Sequence, residues 1–171
     1  YVPQTLHRLW MPGFRLPTMF REHDGRLADP KHYPRLSLAQ PATHDHPPLA
    51  ALWADLWANI DAGHDVEGCR QELKRIMDFS GLSGETPPQD FSQRLHEGFT
   101  RAVLGANSWL AVFQITDVFA QPERFNTPGS AAASNWSHRL SQTVKQLDRD
   151  PELAAKAQQF SRLARESGRG I

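Results

Sequence analysis

The sequence predicts an α/β fold, part of a β/α barrel or of a doubly wound sheet, and three observations predict it. Apolar positions recur at helical offsets in several separate stretches. Short apolar runs between them have strand character, and proline and glycine mark the junctions. The resulting order of helix, strand, strand, helices, strand, helices fits no all-α or all-β plan. At 171 residues the chain suffices for one domain with a substantial core, and no internal repeat divides it.

Residues 1–11 read as a short helix opened by Pro3, and Gly13-Phe14-Arg15-Leu16-Pro17 as a strand entered through the Pro12-Gly13 turn. Residues 21–34 are polar and loop-like. A second strand is expected over 35–41, where Leu36, Leu38 and Ala39 follow the Tyr33-Pro34 turn signal. Leu49, Leu52, Trp53, Leu56, Trp57 and Ile60 then recur at offsets of three and four, which predicts a helix over 48–60. Pro47 and Pro48 suit its first turn, where a missing N–H costs nothing. Trp53 and Trp57 lie on an otherwise aliphatic stripe and read as core rather than as rings that stack on a ligand.

Gly63 ends that helix, and a second amphipathic helix is expected from Val66 to Phe79 before a breaker-rich loop, Ser80 to Gln89. Phe91, Leu95, Phe99 and Val103 mark another helix. Trp109-Leu110-Ala111-Val112-Phe113-Gln114-Ile115 is the strongest strand signal, apolar on both faces as in a central parallel strand, and the polar turn Thr116-Asp117 follows it. Asp117 either lines a pocket there or caps the turn. After the loop 124–129, the Ala/Ser stretch is expected to stay extended until Asn135 or Ser137 caps a helix through Leu147. Asp150-Pro151 opens the last helix, with Leu153, Ala157, Phe160 and Ala164 on one face. Trp136 reads as a packing residue.

Nineteen basic and nineteen acidic residues cancel, and no Lys/Arg run follows a phosphate backbone, so nucleic acid is not an expected partner. No uncharged apolar run approaches the roughly 20 residues of a membrane helix. The single Cys69 shares an apolar helical face with Leu73, Ile76 and Met77; it reads as core in a reducing, cytoplasmic setting. The chain begins at Tyr1 without a charged segment leading into an apolar one, which argues against a signal peptide and for a truncated start.

Ala42-Thr43-His44-Asp45-His46-Pro47-Pro48 packs two histidines around a carboxylate where a strand gives way to a helix. Parallel α/β folds place their chemistry at that junction. His44 and His46 form an H-x-H of the kind that supplies two ligands in metal-dependent hydrolase barrels. His7, His23, His32, His64, His96 and His138 lack the spacing to complete such a site, so no metal is expected. Asp45 taken alone reads equally as a helix cap.

Four segments in consistent order resemble 4-α-glucanotransferases of the amylomaltase, or disproportionating-enzyme, type. They are Val2-Pro3; Pro12-Gly13-Phe14-Arg15-Leu16-Pro17; Tyr33-Pro34-Arg35-Leu36-Ser37-Leu38-Ala39 leading into Ala42-Thr43-His44-Asp45-His46; and Asn126-x-Pro128-Gly129 followed by Asn135-Trp136-Ser137-x-Arg139-Leu140. The likeness covers roughly residues 1–140, with 141–171 as C-terminal helices. It implies the C-terminal portion of a single (β/α)8 catalytic barrel, dominated by helices and holding about three parallel strands, from a parent that transfers α-1,4-glucan segments between malto-oligosaccharides. Such a barrel usually needs about 250 residues.

The resemblance further implies a retaining double displacement without metal or organic cofactor, whose nucleophilic Asp and general-acid Glu precede Tyr1. Asp45 then matches the third catalytic carboxylate, which holds the 2- and 3-hydroxyls of the sugar at the cleavage point. His44 matches a donor to the same sugar edge, Asn126 a contact to the donor sugar, and His46 a further substrate-binding position. The implied partners are malto-oligosaccharides or α-glucan and the missing N-terminal part of the barrel. The chain alone is expected to be inactive. Met19 stands where the family often has an aromatic, and Gln40-Pro41 replaces a more usual Thr-Tyr or Thr-Val. A non-catalytic glucan-binding or structural remnant of the same fold is the alternative reading.

Overall fold

Three short parallel strands set the frame: β1 (Gly13–Arg15), β2 (Ser37–Ala39) and β3 (Leu110–Ala111), in the order β1-β2-β3. The structure is a computed structural model and describes residues 2–147 and 149–169. Tyr1, where the first expected helix begins, lies outside the described residues, as do Asp148, Gly170 and Ile171 of the expected C-terminal helices. Among the described residues, seven α-helices accompany the strands: α1 (Val2–Arg8), α2 (Leu49–Asp61), α3 (Val66–Phe79), α4 (Gln93–Leu104), α5 (Ile115–Phe119), α6 (Val144–Leu147) and α7 (Pro151–Glu166). The expected element order is the observed one.

Pleating separates the two faces of the sheet. The register aligns Phe14 with Leu38 and Leu38 with Leu110, which makes one apolar row across all three strands. That row faces outward, with Phe14 57% and Leu110 40% exposed. The opposite face carries Ser37 and Ala39, both buried. The core lies on that side, where Trp53 of α2, Leu73, Ile76 and Met77 of α3, and Leu95, Phe99 and Val103 of α4 close over Ala39. A sheet with helices on one face and an open apolar row on the other is a segment of a barrel wall.

Local chemistry explains the helix boundaries. Ser92 begins α4 by accepting the Leu95 backbone N–H at 3.2 Å, and Asp150 begins α7 by accepting those of Glu152 and Leu153 at 2.9 and 3.2 Å. A side chain on Gly98 would collide with the Ser80 carbonyl oxygen, so α4 passes the end of α3 at a distance only glycine permits. Trp53 and Trp57 pack as core, and both indole N–H groups donate to the Pro88 carbonyl, at 3.1 and 2.9 Å. Beyond α7, the Arg169 guanidinium donates to the carbonyls of Leu104 and Ser108, both at 2.6 Å, and fastens this segment to the α4–β3 loop.

Three expectations are corrected. The apolar run 109–115 is not a central strand: its ladder spans only Leu110–Ala111, it lies at the edge of the sheet, and α5 starts at Ile115. Its two-sided apolar character belongs to a strand that is open on one edge and one face here. The helix expected from Asn135 or Ser137 forms only over Val144–Leu147, because Asn135 spends its side chain on the preceding loop instead of on a helix end. On α7, Ala157 is exposed. The packed face runs one column over, through Leu153, Lys156 and Leu163, with the Phe160 ring 4.9 Å from that of Phe113.

Candidate active site

The loop between β2 and α2 starts at the C-terminal end of its strand and is organised by Thr43. The Thr43 hydroxyl oxygen accepts the Asp45 backbone N–H at 3.2 Å and lies 2.7 Å from His46 Nδ1, while the Thr43 carbonyl accepts the His46 N–H at 3.0 Å. Such a hydroxyl-closed turn holds a loop without regular structure. It turns the Asp45 side chain toward solvent, where it remains 46% exposed.

Two groups meet the Asp45 carboxylate. The Asn126 side-chain amide donates to Oδ1 at 2.7 Å, from 81 residues further along the chain. His44 Nε2 stands 3.3 Å from Oδ2. The four residues singled out in the sequence therefore separate into a converging trio, Asp45, His44 and Asn126, and His46, which turns to Thr43. The two histidines of the H-x-H face different partners, and among the described residues no three His, Cys, Asp or Glu side chains gather as a metal-ligand group.

Asn126 is held in place by Asn135, which the sequence pattern offers as a helix cap. Asn135 accepts the Thr127 N–H at 3.0 Å and donates to the carbonyls of Thr127 and Ser130 at 3.3 and 2.8 Å, which folds the 126–135 loop on itself. Trp136 follows with its backbone N–H on the Phe125 carbonyl at 2.8 Å and its indole centroid 5.1 Å from the His44 ring. It is not packed: the residue is 66% exposed, and its φ of 63° lies in the left-handed region. For a bulky side chain that conformation costs about 1–3 kcal/mol and persists where surrounding contacts impose it. The signal that could have marked Asn135 and Trp136 as site residues was their place in the fourth family-like segment.

Gln114 joins the strand end to the Asp45 loop, its side-chain amide donating to the Ala42 carbonyl at 3.2 Å. Asp117 takes the capping role: its Oδ2 accepts the Gln114 backbone N–H at 3.0 Å at the start of α5. Its other oxygen and the Thr116 hydroxyl are buried without a hydrogen-bond partner among the described residues. Burial pushes the Asp117 carboxyl up to about 7. Burial also holds His96 below the usual imidazole range, although its Nε2 lies 2.7 Å from the Asp117 carbonyl oxygen.

A carboxyl raised in the folded state binds its proton more tightly folded than unfolded. Its contribution to stability is complete below about pH 4 and is lost as pH rises to about 7. Asp117→Asn is therefore expected to unfold at higher urea than the parent protein at pH 8 and at a similar concentration at pH 4. Urea titrations at the two pH values check this, and the difference between proteins isolates Asp117 from the opposite dependence of His96. An equal difference at both pH values would contradict it.

Comparison with known proteins identifies the family. The profile of the 4-alpha-glucanotransferases, glycoside hydrolase family 77, matches residues 1–145, and the chain belongs to that family. Among solved structures, the chain is similar to the amylomaltase of Streptococcus agalactiae in complex with acarbose, with a TM-score of 0.69 and 17% identity over 99% of this chain and 30% of that one. It is also similar to the amylomaltase of Corynebacterium glutamicum, with a TM-score of 0.72 and 18% identity over 93% of this chain and 27% of that one. These likenesses establish the fold as part of an α/β barrel, and the chain spans less than a third of each relative. No helix among the described residues is long and apolar enough to cross a membrane.

Proposed function

We propose that this chain is the C-terminal part of a cytoplasmic 4-α-glucanotransferase and supplies Asp45 as the carboxylate that stabilises the transition state of glucan transfer. The observation that carries the reading is the 2.7 Å contact of Asn126 with Asp45 at the end of β2, with His44 on the other oxygen. An exposed acid braced by one side-chain amide, with a histidine beside its other oxygen, at the C-terminal end of a barrel strand suits a sugar edge better than a structural cap.

In a retaining transfer one carboxylate attacks the anomeric carbon, an acid protonates the leaving oxygen, and positive charge builds on the flattened ring between them. Asp45 accepts hydrogen bonds from the 2- and 3-hydroxyls as that charge develops, which favours the transition state over the ground state. His44 donates to the same edge, Asn126 fixes the carboxylate and reaches the donor sugar, and His46 supports the loop through Thr43. The nucleophile and general acid belong to the rest of the barrel. Release to another sugar's 4-hydroxyl instead of water gives disproportionation without metal or organic cofactor.

The full-length protein carrying this sequence, incubated with maltotriose, is expected to produce glucose together with maltotetraose and longer chains. Binding of maltotriose without any such products would favour the non-catalytic glucan-binding or structural reading. The 171-residue chain alone leaves the Phe14–Leu38–Leu110 row and the outer edges of β1 and β3 open, and such edges recruit other strands. It is expected to self-associate in sedimentation velocity and to show no transfer; a monomer with a cooperative melt would contradict the barrel-segment reading.

A further inference from the structure

We propose that Trp136 is a carbohydrate-stacking platform beside Asp45, its indole face taking a pyranose ring of the bound glucan next to the ring that Asp45 grips. The proposal rests on the reading of Asp45 as a sugar-binding carboxylate and adds a specificity residue to that site.

Backbone geometry separates this indole from the others. Trp10 is also exposed and left-handed, but its conformation belongs to the end of α1, where the Met11 N–H bonds back to the Leu6 carbonyl at 2.9 Å. Trp136 occupies the third position of a turn closed by the Ser137 N–H on the Ser134 carbonyl at 3.2 Å. With φ of 63° that position belongs by preference to glycine or asparagine. A turn needed only to reverse the chain has no use for the largest side chain there. The Asn135 bonds and the 2.8 Å bond to the Phe125 carbonyl hold the residue in the strained conformation with its ring in solvent. Strain kept by dedicated contacts beside a candidate site points to function.

The surroundings specify the ligand chemistry. The indole stands 5.1 Å from the His44 ring at an interplanar angle of 49°, and His44 in turn stands 3.3 Å from Asp45. One exposed apolar plane therefore adjoins an edge of acceptors and donors formed by Asp45, His44 and Asn126. A pyranose has the complementary shape, with C–H groups on its faces and hydroxyls around its rim. Pockets that combine an aromatic wall with a few placed polar groups recognise such ligands.

Trp136→Gly separates binding from folding, because glycine prefers this backbone conformation. In the full-length protein it is expected to keep the parent's melting temperature or exceed it, to raise KM for maltoheptaose about tenfold and to change kcat less than threefold. Trp136→Phe should restore most of the binding. Titrating maltoheptaose should shift the tryptophan emission of the parent, and Trp136→Phe should lose most of that shift. An unchanged KM in Trp136→Gly, or a lowered melting temperature with the full emission shift intact in Trp136→Phe, overturns the proposal and makes the ring a packing group. Asp45→Asn measured alongside separates the two claims: if it is impaired while Trp136→Gly is not, the platform alone fails. If Asp45→Asn is fully active, the reading of the site fails.

Discussion

Asp45→Asn in the full-length protein is expected to lower kcat for maltotriose disproportionation about 10³-fold while leaving KM within a few-fold and the melting temperature unchanged. The substitution keeps the size and shape of the side chain and an oxygen able to accept the Asn126 amide proton. Asp45 is nearly half exposed, so the fold gains little from its charge. On the proposed role of Asp45, the loss is confined to hydrogen bonds that strengthen as charge develops on the sugar ring. Those are worth several kcal/mol, and each ~1.4 kcal/mol is a factor of ten in rate. Initial rates and a thermal melt on the same sample decide it. A kcat within threefold of the parent would remove Asp45 from the chemistry.

Trp53→Ala is expected to be the most damaging single change to the fold, at about 3–5 kcal/mol. Trp53 is fully buried, packs with its ring 6.4 Å from that of Phe91, and belongs to the cluster that roofs Ala39 of β2. The hydrogen bond lost with it is the smaller part, because the Pro88 carbonyl keeps the Trp57 indole N–H at 2.9 Å. Cavity and lost burial dominate. Trp57→Ala, at a half-buried position, should cost less than half as much. Urea unfolding of the two variants gives both numbers, and equal costs would contradict this account of the core.

The helices were legible because their chemistry is local. The stripe from Leu49 to Ile60 states its own period, and Asp150-Pro151 carries both the cap and the first-turn proline of α7. The edge strand is shorter than its sequence signal for a reason that lies outside local pattern. Trp109 to Ile115 is apolar on both sides, and periodicity cannot say whether a neighbour is present; here the ladder with β2 covers only Leu110–Ala111, with the Trp109 and Val112 N–H groups on the Arg35 and Ala39 carbonyls at its two ends.

Asp45 and His44 stood out because two rings flank a carboxylate at a strand-to-helix junction. Their meeting with Asn126 was not visible as a contact, since it spans 81 residues and depends on α5 and the loop beyond it. Trp136 reads as packing in the sequence because an indole is a large apolar group. Its exposure follows from a turn conformation that no propensity assigns to it.

The most direct measurement is a crystal structure of the full-length protein with acarbose bound. A sugar ring is expected at the C-terminal end of β2 with its 2- and 3-hydroxyls within hydrogen-bond distance of the Asp45 carboxylate and Asn126 still on Oδ1. A bound acarbose that leaves the Asp45 carboxylate facing protein or solvent, with no hydroxyl within reach, would contradict it.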